Sequence, residues 1–264
     1  MDLQLEGKKA LVTGGTRGIG LATARLFAQE GCDLGICGRD EEQLRAVKEE
    51  LRGMGAKVTS VAADVTKAED ATRFVERGVE ELGGIDVLVN NVGGSAGGAT
   101  IFDTSDEDWH RTFDVTLLHG VRLTQLVAPH MKKRGGGAIV NVSSISGWSP
   151  QLMGTAQYGA AKAAVIFVTE RLALEMVKFN VRVNTVSPGS IQHTRGWESY
   201  RAANPSGYDL YVREGFPMGR LGNPEEVADV IVFLSSPRAN WINGRNIPVD
   251  GLEQPTGVAE RRPW

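Results

Sequence analysis

The sequence predicts an α/β fold: a seven-stranded parallel sheet with helices on both faces. Three observations carry this expectation. Short β-rich runs alternate with longer helical stretches along the chain, a glycine-rich turn follows the first run directly and opens a helix, and 264 residues with 41% hydrophobic content are divided by no linker. Alternation of this kind builds βαβ units, whose crossover helices cover both faces of the sheet. A single domain over residues 1–264 follows, with a substrate-loop segment at about 187–222.

The first strand is expected over Lys9–Thr13, and behind it Ile19, Ala22 and Leu26 recur at i, i+3 and i+7, one apolar helical face that Gly31 ends. Further strands are read at Asp33–Cys37, Lys57–Ala62, Val87–Asn90, Ala138–Val142, Arg182–Val186 and Asn246–Val249. Helices fall between them at Glu41–Met54, Ala68–Leu82, Asp106–Arg134, Tyr158–Lys178 and Pro224–Ser235. The one basic run, Lys132-Lys133-Arg134, stands before Gly135, where cations complement a helix C-terminus that glycine then stops. No element is assigned from Ser187 to Gly222. That stretch holds Trp197, Tyr200, Tyr208, Tyr211 and Phe216 in a chain that is 6% aromatic, which suits a lid over an organic ligand or a small helical insertion packed on its own rings.

Charge excludes several functions. Lys plus Arg number 29 against 32 Asp plus Glu, a net charge of −3, without the basic excess that binding a phosphate backbone needs. No nucleic-acid partner is expected. The opening MDLQLEGKK has no apolar leader core, and no stretch approaches the ~18 apolar residues of a membrane span, so the chain reads as cytoplasmic with no membrane partner. Cys32 and Cys37 form no CxxC pair and HExxH is absent, so neither a disulfide framework nor a metal is expected. His110, His119 and His130 lie on one predicted helix without ligand spacing and read as structural.

The glycine turn reads Thr13-Gly14-Gly15-Thr16-Arg17-Gly18-Ile19-Gly20. A strand, a glycine turn and a helix N-terminus present free N–H groups to a pyrophosphate, and here Gly14, Thr16, Arg17, Gly18 and Ile19 are the candidate contacts. The second strand ends Ile36-Cys37-Gly38-Arg39-Asp40. An acid at that end holds the ribose hydroxyls of NAD, whereas arginine accommodates the 2′-phosphate of NADP. With Gly38 offering no carboxylate and Arg39 joined by Arg17, NADP(H) is expected over NAD(H). The competing reading has two solvated arginines, with Asp40 capping the next helix.

Tyr158 and Lys162 are four apart on a predicted helix and share a face. An ammonium beside a phenol favours the phenolate, and bringing tyrosine from about 10 to ~7 takes roughly 4 kcal/mol, which a cation together with a bound nicotinamide in a dry site can supply. Tyr158 is then the general acid/base. Ser143-Ser144 ends the fifth strand, where parallel sheets form ligand sites, and a hydroxyl there suits a substrate oxygen.

Taken together, Thr13–Gly20, Asp64-Val65, Asn90-Asn91-Val92-Gly93, Ile139–Ser144, Tyr158–Lys162, Asn184–Gly189 and Arg220–Leu234 resemble the classical short-chain dehydrogenase/reductases along nearly the whole chain. The resemblance implies a Rossmann fold, hydride transfer at a nicotinamide, a small-molecule carbonyl or alcohol substrate, and a homotetramer or homodimer. It implies that Ser144 orients the carbonyl, Tyr158 transfers the proton, and Lys162 lowers the tyrosine pKa and holds the nicotinamide ribose. By the same resemblance Asp64 and Val65 meet the adenine, Asn90, Asn91 and Gly93 line the cleft, and Pro188, Gly189 and Ile191 form the nicotinamide-side wall. Trp148 and Trp197 are candidate substrate walls.

The chain also departs from the family pattern. Thr116 stands where an asparagine is usual, Val92 replaces an alanine, and His193 takes the place of a threonine, with Thr194 next. Ser144 and Tyr158 lie one position further apart than in many relatives, which leaves Ser143 as an alternative. Two functions are therefore carried forward: an NADP(H)-dependent oxidoreductase interconverting a secondary alcohol and a ketone, and an NADPH-binding regulatory or scaffold protein with little or no catalysis.

Overall fold

Leu11 and Val12, adjacent in the first strand, are both fully buried yet pack into different cores. Side chains alternate across a strand, so a strand with two buried neighbours is covered on both faces. The computed structural model, which describes residues 1–150 and 154–253, shows the sheet responsible. Residues 254–264 of the expected domain lie outside the described residues. Seven strands run in the order β3-β2-β1-β4-β5-β6-β7, all parallel: β1 Lys9–Thr13, β2 Asp33–Gly38, β3 Val58–Ala62, β4 Val87–Asn90, β5 Gly137–Val142, β6 Val181–Pro188 and β7 Asn246–Val249.

One face carries α1 (Gly18–Gln29), α2 (Glu41–Gly53) and α9 (Pro224–Ser235), which bury Phe27, Leu44 and Ile231 against Val12 and Ile36. The other carries α3 (Ala68–Leu82), α5 (His119–Lys133) and α6 (Ala156–Met176), with Phe74, Leu123 and Met131 against Leu11 and Leu88. Phe74 has no exposed surface, and Phe74→Ala is expected to cost about 3–5 kcal/mol of folding stability, read as a shift of the urea midpoint at unchanged slope.

Chain order reverses between β1 and β4, which are neighbours although β2 and β3 intervene in sequence. Carboxyl ends of strands at such a reversal leave a crevice. At the outer edge, the amides of Thr185 and Gly189 donate to the carbonyls of Arg245 and Val249. Odd-numbered residues of β7 therefore face β6, and Pro248 faces outward.

Two expected elements come out differently. The helix read over Asp106–Arg134 is α4 (Asp106–Phe113), a π-helical turn at Asp114–Leu118, and α5. The stretch from Ser187 to Gly222 is not an element-free loop: β6 runs to Pro188, α7 spans Arg195–Ala203 and α8 spans Pro205–Gly215. Pro205 opens α8, and the Asn204 side chain accepts the Gly207 amide at 3.2 Å as its cap. Trp197 lies 5.7 Å from the Tyr200 ring and 5.6 Å from that of Phe216. It also packs 6.3 Å from Tyr208 and 6.4 Å from Tyr211, so these rings chiefly cover one another.

Candidate active site

The crevice begins where β1 delivers its glycine turn. Gly14 has φ +64°, in the left-handed region open to glycine. A Cβ on Gly20 would stand 2.2 Å from the Gly14 carbonyl oxygen, so only glycine lets α1 start this close to the turn. Thr16 lies over Gly38 at the end of β2, its Oγ1 3.3 Å from where a Cβ of Gly38 would be. Arg17 and Arg39 flank the turn, both exposed, and neither makes a salt bridge among the described residues. Asp40 is committed elsewhere: its carboxylate accepts the Glu42 and Gln43 amides at 3.0 Å and caps α2. Gly18 starts α1 with φ +51°, within 3.7 Å (measured from an added Cβ) of the His193 carbonyl, and Ile19 packs on the core behind it.

The end of β4 is stapled to this turn. Asn91 donates from Nδ2 to the Thr13 carbonyl at 2.9 Å, and its own amide donates to Thr13 Oγ1 at 2.9 Å. Asn90 turns the other way, buried, with Nδ2 donating to Asn141 Oδ1 at 2.8 Å. It does not line the cleft as the resemblance implied, because alternate residues of a strand face opposite ways. Asp64 holds the end of β3 by accepting the Thr66 amide and hydroxyl at 3.1 and 2.8 Å. Val65 beside it is buried.

At the end of β5 the structure separates the two serines. Ser143 is buried, and its hydroxyl donates to the Lys162 carbonyl at 2.8 Å. Ser144 is half-buried, starts a 3-10 turn at Ile145–Gly147, and hydrogen-bonds the Tyr158 phenol. Lys162, 2% exposed, donates from Nζ to the Val142 carbonyl at 2.7 Å and stands 5.6 Å from the Tyr158 ring centre. Its Nζ is 2.9 Å from where a Cβ of Gly93 would sit, so the glycine makes room for the lysine. Ser144, Tyr158 and Lys162 are thus gathered beside the glycine turn.

The sequence expectation includes a bound nicotinamide; in the protein alone, burial sets the two groups. Burial pushes the Tyr158 phenol up to about 12, with Ser144 pulling it partly back, and burial brings Lys162 down to about 7. Lys162 does not draw the phenol toward 7 in the protein alone, because loss of hydration disfavours both charged forms.

Thr116, inside the π turn, donates to the Gly94 carbonyl at 2.7 Å and accepts the Gly94 amide at 3.1 Å. Its short hydroxyl therefore pins the loop after Gly93. On the opposite wall Pro188 is buried, the Gly189 amide donates to the Val249 carbonyl, and Ile191 points into the core. His193 adopts φ +59°, and the Thr194 hydroxyl donates to the Ile191 carbonyl at 2.8 Å. Trp148 is 46% exposed just beyond Ser144, whereas Trp197 is held in the aromatic cluster of α7 and α8.

Three residues had no sequence signal. Gln157, fully buried, donates to the Ala96 carbonyl at 2.7 Å and fixes the loop facing Tyr158. Glu253 accepts the Ser190 amide at 2.6 Å and its hydroxyl at 2.8 Å, tying the chain beyond β7 to the wall after Gly189. His119 is buried behind Val92. Among the described residues no group of His, Cys, Asp and Glu is placed to hold a metal, and no helix is long and apolar enough to cross a membrane.

A doubly wound parallel sheet whose glycine turn opens beside a serine, a tyrosine and a lysine is the architecture of a dinucleotide-binding oxidoreductase. Residues 14–251 match the family model described as Enoyl-(Acyl carrier protein) reductase. The chain is 37% identical over 250 residues to Dehydrogenase/reductase SDR family member 4 of Bos taurus, covering 94% of this chain and 87% of that protein. It is 38% identical over 251 residues to the 3-oxoacyl-[acyl-carrier-protein] reductase FabG of Thermotoga maritima, covering 94% and 98%. L-Sorbose reductase from Gluconobacter frateurii, solved with NADPH and L-sorbose, superposes with a TM-score of 0.91 at 35% identity over 97% of this chain and 100% of that one. A 7 alpha-hydroxysteroid dehydrogenase complexed with NADH and 7-oxo glycochenodeoxycholic acid gives 0.88 at 29% identity over 97% and 98%. The protein belongs to the classical short-chain dehydrogenase/reductase family, with its Rossmann fold.

Proposed function

We propose that the protein is an NADP(H)-dependent oxidoreductase that interconverts a secondary alcohol and a ketone in the cytoplasm, as a homotetramer or homodimer. The convergence of Ser144, Tyr158 and Lys162 at the carboxyl end of β5 carries this reading. The glycine cradle of Gly14 and Gly20 has the shape a pyrophosphate requires, and Gly18 and Ile19 bring amides to it. Thr16, Arg17 and Arg39 supply the edge where a 2′-phosphate would lie. Asp64, Val65, Asn91 and Gly93 border the adenine and ribose side of the crevice, and Pro188, Gly189 and Ile191 its nicotinamide side. When bound, the nicotinamide supplies or accepts a hydride.

The chain's own residues do the rest. Ser144 donates a hydrogen bond to the carbonyl oxygen and orients it. Tyr158, whose phenol stays protonated well above neutrality in the protein alone, donates its proton to that oxygen in reduction and receives it in oxidation. Lys162 lies beneath, with two ammonium hydrogens left for ribose hydroxyls once one is given to Val142. Trp148 offers an exposed apolar wall beside Ser144.

L-sorbose, a 7-oxo steroid and a 3-oxoacyl group, named with three of the similar proteins, are all oxo compounds, so the substrate is sought among small ketones. The deciding experiment is NADPH consumption by the purified protein over sugar-like, aliphatic, aromatic, steroid and 3-oxoacyl thioester ketones. Turnover of one class supports the reading. NADPH binding with no turnover on any class would favour the non-catalytic alternative, which draws on Thr116 standing in place of the usual asparagine and being held by Gly94. For the cofactor, Arg39→Ala is expected to raise KM for NADPH by about tenfold or more and leave that for NADH nearly unchanged. Equal effects on both would remove Arg39 from the phosphate site.

A further inference from the structure

His119 opens α5 directly after the π turn and is 1% exposed. Its Nε2 lies 2.9 Å from the Val92 carbonyl oxygen. A carbonyl only accepts, so Nε2 carries the proton, and the neutral ring is left with Nδ1 as an acceptor. Protonation of Nδ1 is opposed by burial and by the two charges that act on it, Lys162 and Arg122, both positive.

Asn90 is fixed by the same logic. The Thr169 hydroxyl donates to the Val165 carbonyl at 2.8 Å, so it accepts from Asn141 Nδ2 at 2.9 Å. Asn141 Oδ1 then accepts from Asn90 Nδ2 at 2.8 Å, which leaves Asn90 Oδ1 as a second acceptor. Neither His119 Nδ1 nor Asn90 Oδ1 has a hydrogen-bond partner among the described residues. Both residues line one cavity of about 20 Å³, with Thr116, Gly120 and Val142. A water needs ~10–15 Å³ of such space and two or more polar partners.

We infer that this cavity is a built water site, in which one water donates to His119 Nδ1 and to Asn90 Oδ1, and that His119 is a positioning residue for the cofactor wall at Val92–Gly94. Two unpartnered buried acceptors on residues that line one small space are both satisfied by a single donor with two hydrogens, which a carboxylate or phosphate is not. With the water in place the ring is held at both ends: Nε2 grips Val92 on the loop, and Nδ1 is tied through Asn90 and Asn141 to β5. Val92 precedes Gly93, the glycine against which Lys162 Nζ lies. The positioning role rests on the proposed function of Lys162, whereas the water site does not.

Two measurements on the full chain test it separately. In a long-range ¹⁵N–¹H spectrum His119 is expected to remain the Nε2–H tautomer from about pH 8 to about 5.5, with Nδ1 shifted as a hydrogen-bonded acceptor. A high-resolution crystal structure should show water within about 3.2 Å of both Nδ1 and Oδ1. A ring that titrates near pH 6.5, or a dry cavity, overturns the water site. For positioning, His119→Gln keeps a donor toward Val92, whereas His119→Leu keeps only apolar volume. NADPH Kd is expected to rise roughly tenfold in H119L and under about threefold in H119Q. Leucine tolerated as well as glutamine would reduce His119 to core filling and overturn that role. A wild type that binds NADPH without turnover would sink the proposed activity and leave both results readable; one that does not bind NADPH would remove the positioning role along with the cofactor site, leaving the spectrum and the density to decide the water.

Discussion

Tyr158→Phe is expected to lower kcat by about 10²–10⁴-fold with NADPH Kd changed by less than about threefold. The substitution deletes one hydroxyl and keeps the ring that packs beside Lys162. What disappears is the acid placed next to Ser144, the side chain that hydrogen-bonds the phenol. The buried phenol pKa of about 12 means the acid form is present throughout the neutral range, so loss of the group is felt at every working pH. Retained NADPH fluorescence enhancement with lost ketone reduction is the expected pair of results. Activity within tenfold of wild type would assign the proton to another group.

Lys162→Met should lose turnover and gain stability at neutral pH. The lysine side chain is buried without a carboxylate partner among the described residues, and burial lowers it from 10.5 to about 7. In the unfolded chain it keeps its proton to about pH 10.5, so between about 7 and 10.5 the unfolded state holds the extra proton and stability rises with pH. Below about 7 the folded state carries the whole penalty, of order 5 kcal/mol at about 1.4 kcal/mol per unit. Methionine removes it and leaves the Val142 carbonyl without its donor, which returns about 1–3 kcal/mol. Thermal unfolding of the two proteins from about pH 6 to 8.5 should show K162M ahead at the acid end by several degrees, with the gap closing as pH rises. A constant gap would mean that Lys162 stays charged in the folded protein across this range, and wild type ahead throughout would mean that its burial carries no such penalty.

How far the sequence could be read depends on the scale of the signal. Ala68–Leu82 and Pro224–Ser235 were legible to the residue, since a sustained apolar stripe and a proline at the first turn mark such helices independently of context. The strands were legible to within two residues at each end, the central ones as apolar runs buried on both faces. The pair α7 and α8 was not, because Gly196, Pro205, Gly207 and Gly215 break the periodicity in a segment held together by its own aromatic rings. The π turn at Asp114–Leu118 adds one residue per turn, a phase shift that composition does not display. At the site, the choice between Ser143 and Ser144 needed the strand's facing, and the direction of the Tyr158 shift needed its burial. His119 carried no spacing signal, since its partners Val92 and Asn90 come from another strand's end.

Pro248 on the outer strand has a consequence for how the sheet meets other molecules. With odd residues bonded to β6, the amide that proline lacks is the one that would point away from the molecule. The ladder therefore loses nothing, while an incoming strand finds a missing donor in the middle of a four-residue edge. Backbone templating, the route by which parallel sheets join into fibrils or recruit extended peptides, is disfavoured along this side. Copies of the chain that associate there are steered toward side-chain contacts, which can be specific and reversible.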